Sequence, residues 1–350
     1  MKNINTNYRG EAKLSKRDSG KMERILSIDY LKAFAAILVI LTHSLSKSQR
    51  LAIGGPFWIS MAVPIFIILS GFTNSLSADK NKLTLLRDFY QKERLVQEFN
   101  SFLSPYFIII VLEFFLGFYQ RYFLKIGPFI SYSIKDYLLY FLTGGTTPGS
   151  YYIPIMLQFI LIFPFLYLSF KKAGKKSVYF YLLLHFLFDL IANFLPIPTE
   201  IYRLLIFRYL GFIIVGIALY FSYQELRKSV RYMSFFSISY IIFYSLGYRI
   251  KIFSKWPNTA LPTVFWALTI IIIGMELLEK NPKHLISNGL LKIGKASYYI
   301  FLIQKVLFGF GLNRFLNSMG LSPAGRSITA IIICCALGLS FYKLDKIRSV

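Results

Sequence analysis

Cysteine, histidine and acid are all scarce in this sequence, and each scarcity closes off a class of protein. The two cysteines, Cys334 and Cys335, are neighbours in an apolar run. They form neither a disulfide framework nor a metal motif, so no bound metal is expected and both read as small core residues. Histidine occurs only at His43, His185 and His284, which leaves few carriers for imidazole chemistry. Asp and Glu number 16 against 40 Lys and Arg, a net charge of +24. In a soluble protein that imbalance would point to nucleic acid. No block interleaves basic and aromatic side chains as a nucleic-acid reader does, so no nucleic-acid partner is expected. Long polar stretches are missing too, apart from residues 1–26. That segment is too long and too polar for the front of a signal peptide, and no small-residue cleavage site follows the next apolar run. It reads as a mobile cytoplasmic tail. Nor does any period of roughly 20–50 residues recur that would signal a solenoid.

What the chain has in excess is apolar length. Hydrophobic residues make up 55% of it. Apolar runs of roughly 18–22 residues recur from end to end, long enough to cross a bilayer as helices. Runs and breakers taken in order give about ten spans. They lie near 28–46, 57–77, 101–120, 151–170, 177–196, 203–222, 232–250, 259–279, 297–314 and 326–342. The expected fold is all-α and integral to a membrane, with one polytopic domain over 27–342 and a second short cytoplasmic tail at 343–350. Residues 136–142 are apolar but too short to cross, and are expected at the interface. The 35 Phe and 25 Tyr suit contact with membrane lipids. Positive loops stay cytoplasmic. With the N-terminus inside, 26 of the 40 Lys and Arg fall on the cytoplasmic side and 11 on the outer, which puts both termini inside.

The run at 27–46, SIDYLKAFAAILVILTHSLS, carries Asp29, Lys32 and His43, which a simple anchor would not need. A helix turns about 100° per residue, so Lys32 and His43 share a face, with Asp29 one turn before Lys32. Ala33, Ala36 and Ile40 fill that face between them. Ionisable groups inside a span are costly and mark a functional interior. A neutral imidazole suits general-base work near neutral pH. Lys32 lies about 16 Å from His43 along the axis. That gap fits a long substrate with an anionic portion at the cytoplasmic side; Lys32 also suits snorkelling to the inner headgroups.

In VPIFIILSGF (63–72), Pro64 frees a carbonyl, and Ser70 with Gly71 permits close helix approach or a hydroxyl contact. Arg87, Lys92 and Arg94 stand at the cytoplasmic face before the third span, either to set topology or to hold the phosphates of a cytosolic donor. His185 and Asp189, spaced i,i+4, can hydrogen-bond each other. Arg208 needs a partner or a water-lined cavity, and is a second anchor for an anionic substrate. Glu113 and Glu276 are further acids within or near spans.

These motifs resemble the acyltransferase family 3 integral membrane proteins. A basic residue, ten others and His in the first span is that family's signature, here Lys32 to His43, with Lys where many members have Arg. VPIFIILSGF resembles its Phe-rich segment ending in Ser-Gly-Phe. RDFYQKERLVQEFNSFLSPY (87–106) resembles its basic loop, SYYIPIMLQFILIFPFL (150–166) its aromatic-rich segment, and IGKASYYIFLIQKVLF (293–308) its Ser-Tyr segment. In that last helix many members carry a His. Here Gln304 takes its place, followed by Lys305, which is either a partner for a buried acid or a substrate contact.

The resemblance implies transfer of an acyl group, acetyl or succinyl, from cytosolic acyl-CoA to a hydroxyl of a carbohydrate or lipid-linked glycan. His43 would be the catalytic base or assist a covalent acyl relay. Lys32, Arg87, Lys92 and Arg94 would bind the donor, and Asp29, Ser70, Tyr151, Tyr152, Arg208, Gln304 and Lys305 would line the substrate path. No permanently bound cofactor is implied. Surface or exported polysaccharide is the expected acceptor, with glycan synthase or export partners, in a bacterial plasma membrane. The alternative is a polysaccharide or lipid-linked sugar exporter, which would need a through-going polar pathway rather than one polar helix. A membrane receptor or scaffold, a third reading, would bind no acyl-CoA.

Overall fold

A computed structural model describes residues 26–123, 141–145, 147–195, 197–280 and 288–348. The expected N-terminal tail except Leu26, most of the piece at 136–142 and the last two residues of the C-terminal tail lie outside them. Every regular element among the described residues is an α-helix or a 3-10 turn, as apolar runs of this length require. In chain order the helices of more than one turn are α1 (Leu26–Ser44), α2 (Lys47–Ala52), α3 (Ala62–Lys80), α4 (Lys92–Tyr122), α5 (Tyr152–Ala173) and α6 (Lys175–Phe194). There follow α7 (Leu210–Phe221), α8 (Tyr223–Ser245), α9 (Val264–Lys280), α10 (Asn288–Lys295), α11 (Ser297–Gly309), α12 (Leu312–Ser318) and α13 (Pro323–Arg348).

Among the described residues, seven helical segments are long and apolar enough to cross a membrane, those built on α1, α3, α4, α5, α6, α9 and α13, and the bent pair α11–α12 makes up to eight. Three stretches depart from the regular spans read off the sequence, each for a local reason. Residues 203–222 give only the 12-residue α7, about 18 Å of helix, because a 3-10 turn at Ile206–Tyr209 takes up the front of the stretch. Helix α8 starts at Tyr223, not near 232, and so takes in Glu225, Arg227, Lys228 and Arg231. The 297–314 run is broken: α11 and α12 meet at 62°. Gly311 there has φ +101°, a left-handed conformation that ends a helix.

Apolar on every side, α7 belongs in the interior, and all its residues from Leu210 to Leu219 are buried. It lies against α3 at a glycine crossing. A Cβ on Gly216 would sit 2.2 Å from the Ile68 carbonyl oxygen, and one on Gly71 would sit 2.6 Å from that of Ile213. Small residues at both positions let the backbones touch, the kind of approach that holds membrane helices together. At the other side of α1, a Cβ on Gly294 would fall 1.9 Å from the Asp29 carbonyl oxygen, so α10 also lies against bare backbone. A smaller apolar cluster of Ala36, Ile40, Ile300, Ala330, Cys334 and Cys335 ties α1 to α11 and α13. Both cysteines are free and buried, the core role expected for them.

The periphery is the reverse of a soluble surface. Tyr232 is 80% exposed, Phe236 73% and Phe235 69%, and large apolar side chains of α4, α6 and α13 are exposed as well. Apolar area on that scale needs an apolar surrounding.

Candidate active site

Helix α1 ends beside two short elements that fix its last turn. Ser46 caps α2 in a reciprocal box: its hydroxyl accepts from the Gln49 N–H at 3.2 Å, while its own N–H donates to Gln49 Oε1 at 2.9 Å. This places Arg50 to donate back to the Thr42 carbonyl and, at 3.0 Å, to the Leu45 carbonyl. A cation on the orphan carbonyls of a helix C-terminus is favoured by hydrogen bonding and by the helix dipole.

His43 sits within that sealed turn, half-buried. Its ring lies 5.6 Å from Phe308 of α11, tilted by 45°. Its carbonyl accepts from Asn313 Nδ2 of α12 at 2.7 Å, and the next residue, Ser44, shares a 3.0 Å hydroxyl contact with Ser327 of α13. Three helices therefore position the imidazole. Among the described residues neither ring nitrogen has a hydrogen-bond partner, so both remain able to take or give a proton.

Helix α11 runs alongside α1 in the same direction, since its Ile300 packs with Ala36 and Ile40 while its Phe308, two turns on, meets His43. Its residues Ile300, Gln304 and Phe308 recur at i, i+4 and i+8, one face of a helix. Ile300 clusters with Ala36 and Ile40 of α1, so Gln304 faces α1 about 6 Å along the axis from Phe308. It is fully buried, and neither its oxygen nor its nitrogen has a partner among the described residues. A buried amide with open hydrogen-bonding capacity, one helical turn from the ring that meets the imidazole, can orient a carbonyl or stabilise a developing oxyanion.

Lys305 resolves differently. Its Nζ lies 2.7 and 2.8 Å from the two carboxylate oxygens of Glu113, with both side chains wholly buried. The Thr147 hydroxyl adds a 2.8 Å bond to Glu113 Oε1. Of the two roles open to it in the sequence, partner for a buried acid is the one observed. An ammonium out of water binds a carboxylate because leaving either alone is far costlier.

The remaining expected residues divide by end of the bundle. Tyr152 packs between Phe66, 6.5 Å away, and Phe301, 4.9 Å away, and Tyr151 meets Trp256 edge-on at 5.7 Å. Thr147, four residues earlier, lies against Gly309, next to Phe308. Both tyrosines thus belong to the His43 end. Ser70 hydrogen-bonds its own helix, donating to the Phe66 carbonyl at 2.8 Å. Asp29 is buried at the opposite end, and Lys32 is half-buried. Arg87 and Lys92 are exposed, with Arg87 in only a loose 3.9 Å pair with Asp88. Arg94 is engaged by Glu98 at 2.8 Å and stands 5.4 Å over the Phe89 ring. Only its Nε is engaged by the i,i+4 acid, which leaves the two terminal nitrogens of the guanidinium fork.

His185 and Asp189 come within 3.5 Å, as their spacing implies, and both are fully buried. Sequence reasoning missed Arg50, Phe308 and Asn313. The Ser46–Gln49 capping box was a visible signal for the first; nothing local marks the other two, which matter only through the bend between α11 and α12.

No curated protein and no solved structure matches this chain. The family model described as an acyltransferase domain matches residues 25–343, nearly the whole chain, and takes in both the polar first helix and the late helix that meets it. The chain belongs to acyltransferase family 3 and is a multi-pass membrane protein.

Proposed function

We propose that this protein transfers an acyl group, acetyl in the first instance, from cytosolic acyl-CoA to a hydroxyl of a cell-surface or exported carbohydrate, with His43 as general base. The observation that carries the reading is the His43 imidazole: held by three helices at one end of the bundle, with both nitrogens open. In the reaction, His43 takes the proton of the acceptor hydroxyl as its oxygen attacks the thioester carbonyl carbon. The Gln304 amide donates to the oxyanion of the tetrahedral intermediate. That intermediate collapses with cleavage of the carbon–sulfur bond, and the CoA thiolate takes the proton from the imidazolium. Proton transfer of this kind contributes about 10²–10⁴-fold.

The donor enters from the basic end, where exposed Arg87 and Lys92 meet its phosphates and Lys32 guides its anionic portion. The pantetheine arm runs along the stripe of α1 toward His43. Both termini are cytoplasmic, the chain crosses about ten times, counting α7 and α8, and the membrane is a bacterial plasma membrane.

The test is His43→Ala, followed by mass spectrometry of surface glycans. The variant inserts normally and leaves the glycan without acyl groups. Full acylation by the variant would remove His43 from catalysis.

A further inference from the structure

Arg208 is the largest fully buried side chain among the described residues. It lies on the 3-10 turn before α7, and Gln158 of α5 clamps that turn. The Gln158 side chain accepts from the Ile206 N–H at 3.1 Å and donates to the Leu204 carbonyl at 2.6 Å. The guanidinium carbon stands 5.0 Å from the Tyr202 ring centre, 4.7 Å from that of Tyr209 and 4.9 Å from that of Trp256. One nitrogen donates to the Thr259 hydroxyl; Nε and Nη1 are buried with no hydrogen-bond partner among the described residues.

The nearby acid, Asp189, feels the charge of Arg208 but gives it no hydrogen bond. Asp189 accepts from the Tyr202 hydroxyl at 2.8 Å and from the Leu261 N–H at 3.1 Å, and it faces His185. Besides Tyr151, Tyr202 and Tyr209, Asp189, His185 and Arg203 are the charged or titratable groups near this cluster among the described residues. A purely structural arginine would be expected to have its donors filled, because an unpaired buried donor is destabilising. Here donors on two nitrogens stay open.

The half-buried Trp256 ring lies over the guanidinium, and half-buried Tyr151 meets it edge-on to complete the cover. Tyr151 adjoins Tyr152, which packs on Phe301. Phe301 lies against Gly149, and Thr147 of the same turn lies against Gly309, next to the Phe308 that touches His43. The Arg208 cage and the imidazole thus share one end of the bundle and one continuous packing path.

We infer that Arg208, under the Tyr151–Trp256 cover, is a recognition site for an anionic group on the acceptor glycan, a carboxylate or a phosphodiester, with the cover rings stacking on the sugar that bears it. The inference rests on the acyl-transfer reading only in calling the bound molecule an acceptor. An arginine forms charge-assisted hydrogen bonds with such groups, and aromatic rings beside it supply the apolar platform.

The test uses purified full-length protein in lipid nanodiscs, with binding read by tryptophan fluorescence. The probes are a galacturonate tetramer, its neutral methyl ester and a glycerol-phosphate oligomer. At least one charged probe binds about tenfold or more tighter than the ester, the size of one charge-assisted hydrogen bond. Whichever does so identifies carboxylate or phosphodiester. Arg208→Gln abolishes the preference and His43→Ala keeps it. Should Arg208→Gln fail to fold, Arg208→Lys, which keeps the charge and loses the fork, still weakens the preference. Equal binding of charged and neutral probes by the wild type, or an undiminished preference in either Arg208 variant, overturns the inference. Persistent glycan acylation by His43→Ala would instead remove the proposed mechanism while leaving the binding result standing.

Discussion

At the scale of single residues, this bundle treats its buried charges in two opposite ways. Lys305 and Glu113 satisfy each other; Arg208 keeps donors open. The two are distinguishable by substitution. Lys305→Met strands the Glu113 carboxylate and lowers stability by roughly 3–5 kcal/mol, whereas joint replacement of Lys305 by Met and Glu113 by Leu is close to neutral. Thermal unfolding of the detergent-solubilised protein measures both, and a double variant as unstable as the single would mean that the pair does more than neutralise. For Gln304 the expectation concerns rate. Gln304→Leu keeps the volume near α1 and removes the amide, so acyl transfer falls by about 10²–10³-fold if the amide serves the oxyanion. Unchanged turnover would take the amide out of the reaction.

At the scale of elements, backbone contact decides more than side-chain chemistry. On Gly216 a Cβ would meet the Ile68 carbonyl, which is held in its helix and has no room to yield. Gly216→Val therefore pushes α7 off α3 and costs about 1–3 kcal/mol or more. Gly117, in the interior of α4 with open space around its would-be Cβ, is the control: Gly117→Ala stabilises by up to about 1 kcal/mol. A pH effect belongs to the loop before α4. The Leu85 and Thr84 N–H groups, at 2.8 and 3.0 Å, hold the Asp88 carboxyl below the usual carboxylate range, with Arg87 adding to the effect. The turn Leu86–Phe89 keeps that support above the ordinary Asp range and loses it as pH falls through the lowered value. Hydrogen exchange at Leu85 should rise along that titration, and Asp88→Asn should flatten the curve.

Much of this was legible in sequence. The length and apolarity of the runs located the long helices, and the spacing of Lys32 and His43 marked α1. The i,i+4 spacing of His185 and Asp189 gave their contact. The bend after Gly309 and the short α7 were not legible, because a left-handed Gly311 and a 3-10 turn at Ile206–Tyr209 interrupt runs whose apolarity continues unbroken, and the engagement of Lys305 by Glu113 was not, because its partner lies 192 residues away.

At the scale of the whole molecule, one end gathers His43, Gln304, the tyrosines and Arg208, while the other carries Lys171, Lys175, Arg227 and their acids, Asp79, Glu225 and Glu276. That polarity calls for a fixed orientation in the membrane. Cysteine introduced at exposed Ser48 should react with a membrane-impermeant thiol reagent in intact cells, and cysteine at exposed Lys80 only after lysis. The opposite pattern would invert the topology and put the imidazole on the cytoplasmic side. The corner at Gly311 bears on this arrangement. A straight continuation of α11 would carry Asn313 onward, away from α1. Because the chain turns there, one segment touches the imidazole residue twice, through a ring before the corner and an amide after it. A change in that angle would move the imidazole from a distance; if His43 is the base, Gly311→Ala, strained by its φ of +101° although its Cβ meets nothing within 4 Å, lowers turnover in an acyl-transfer assay without lowering the amount of inserted protein.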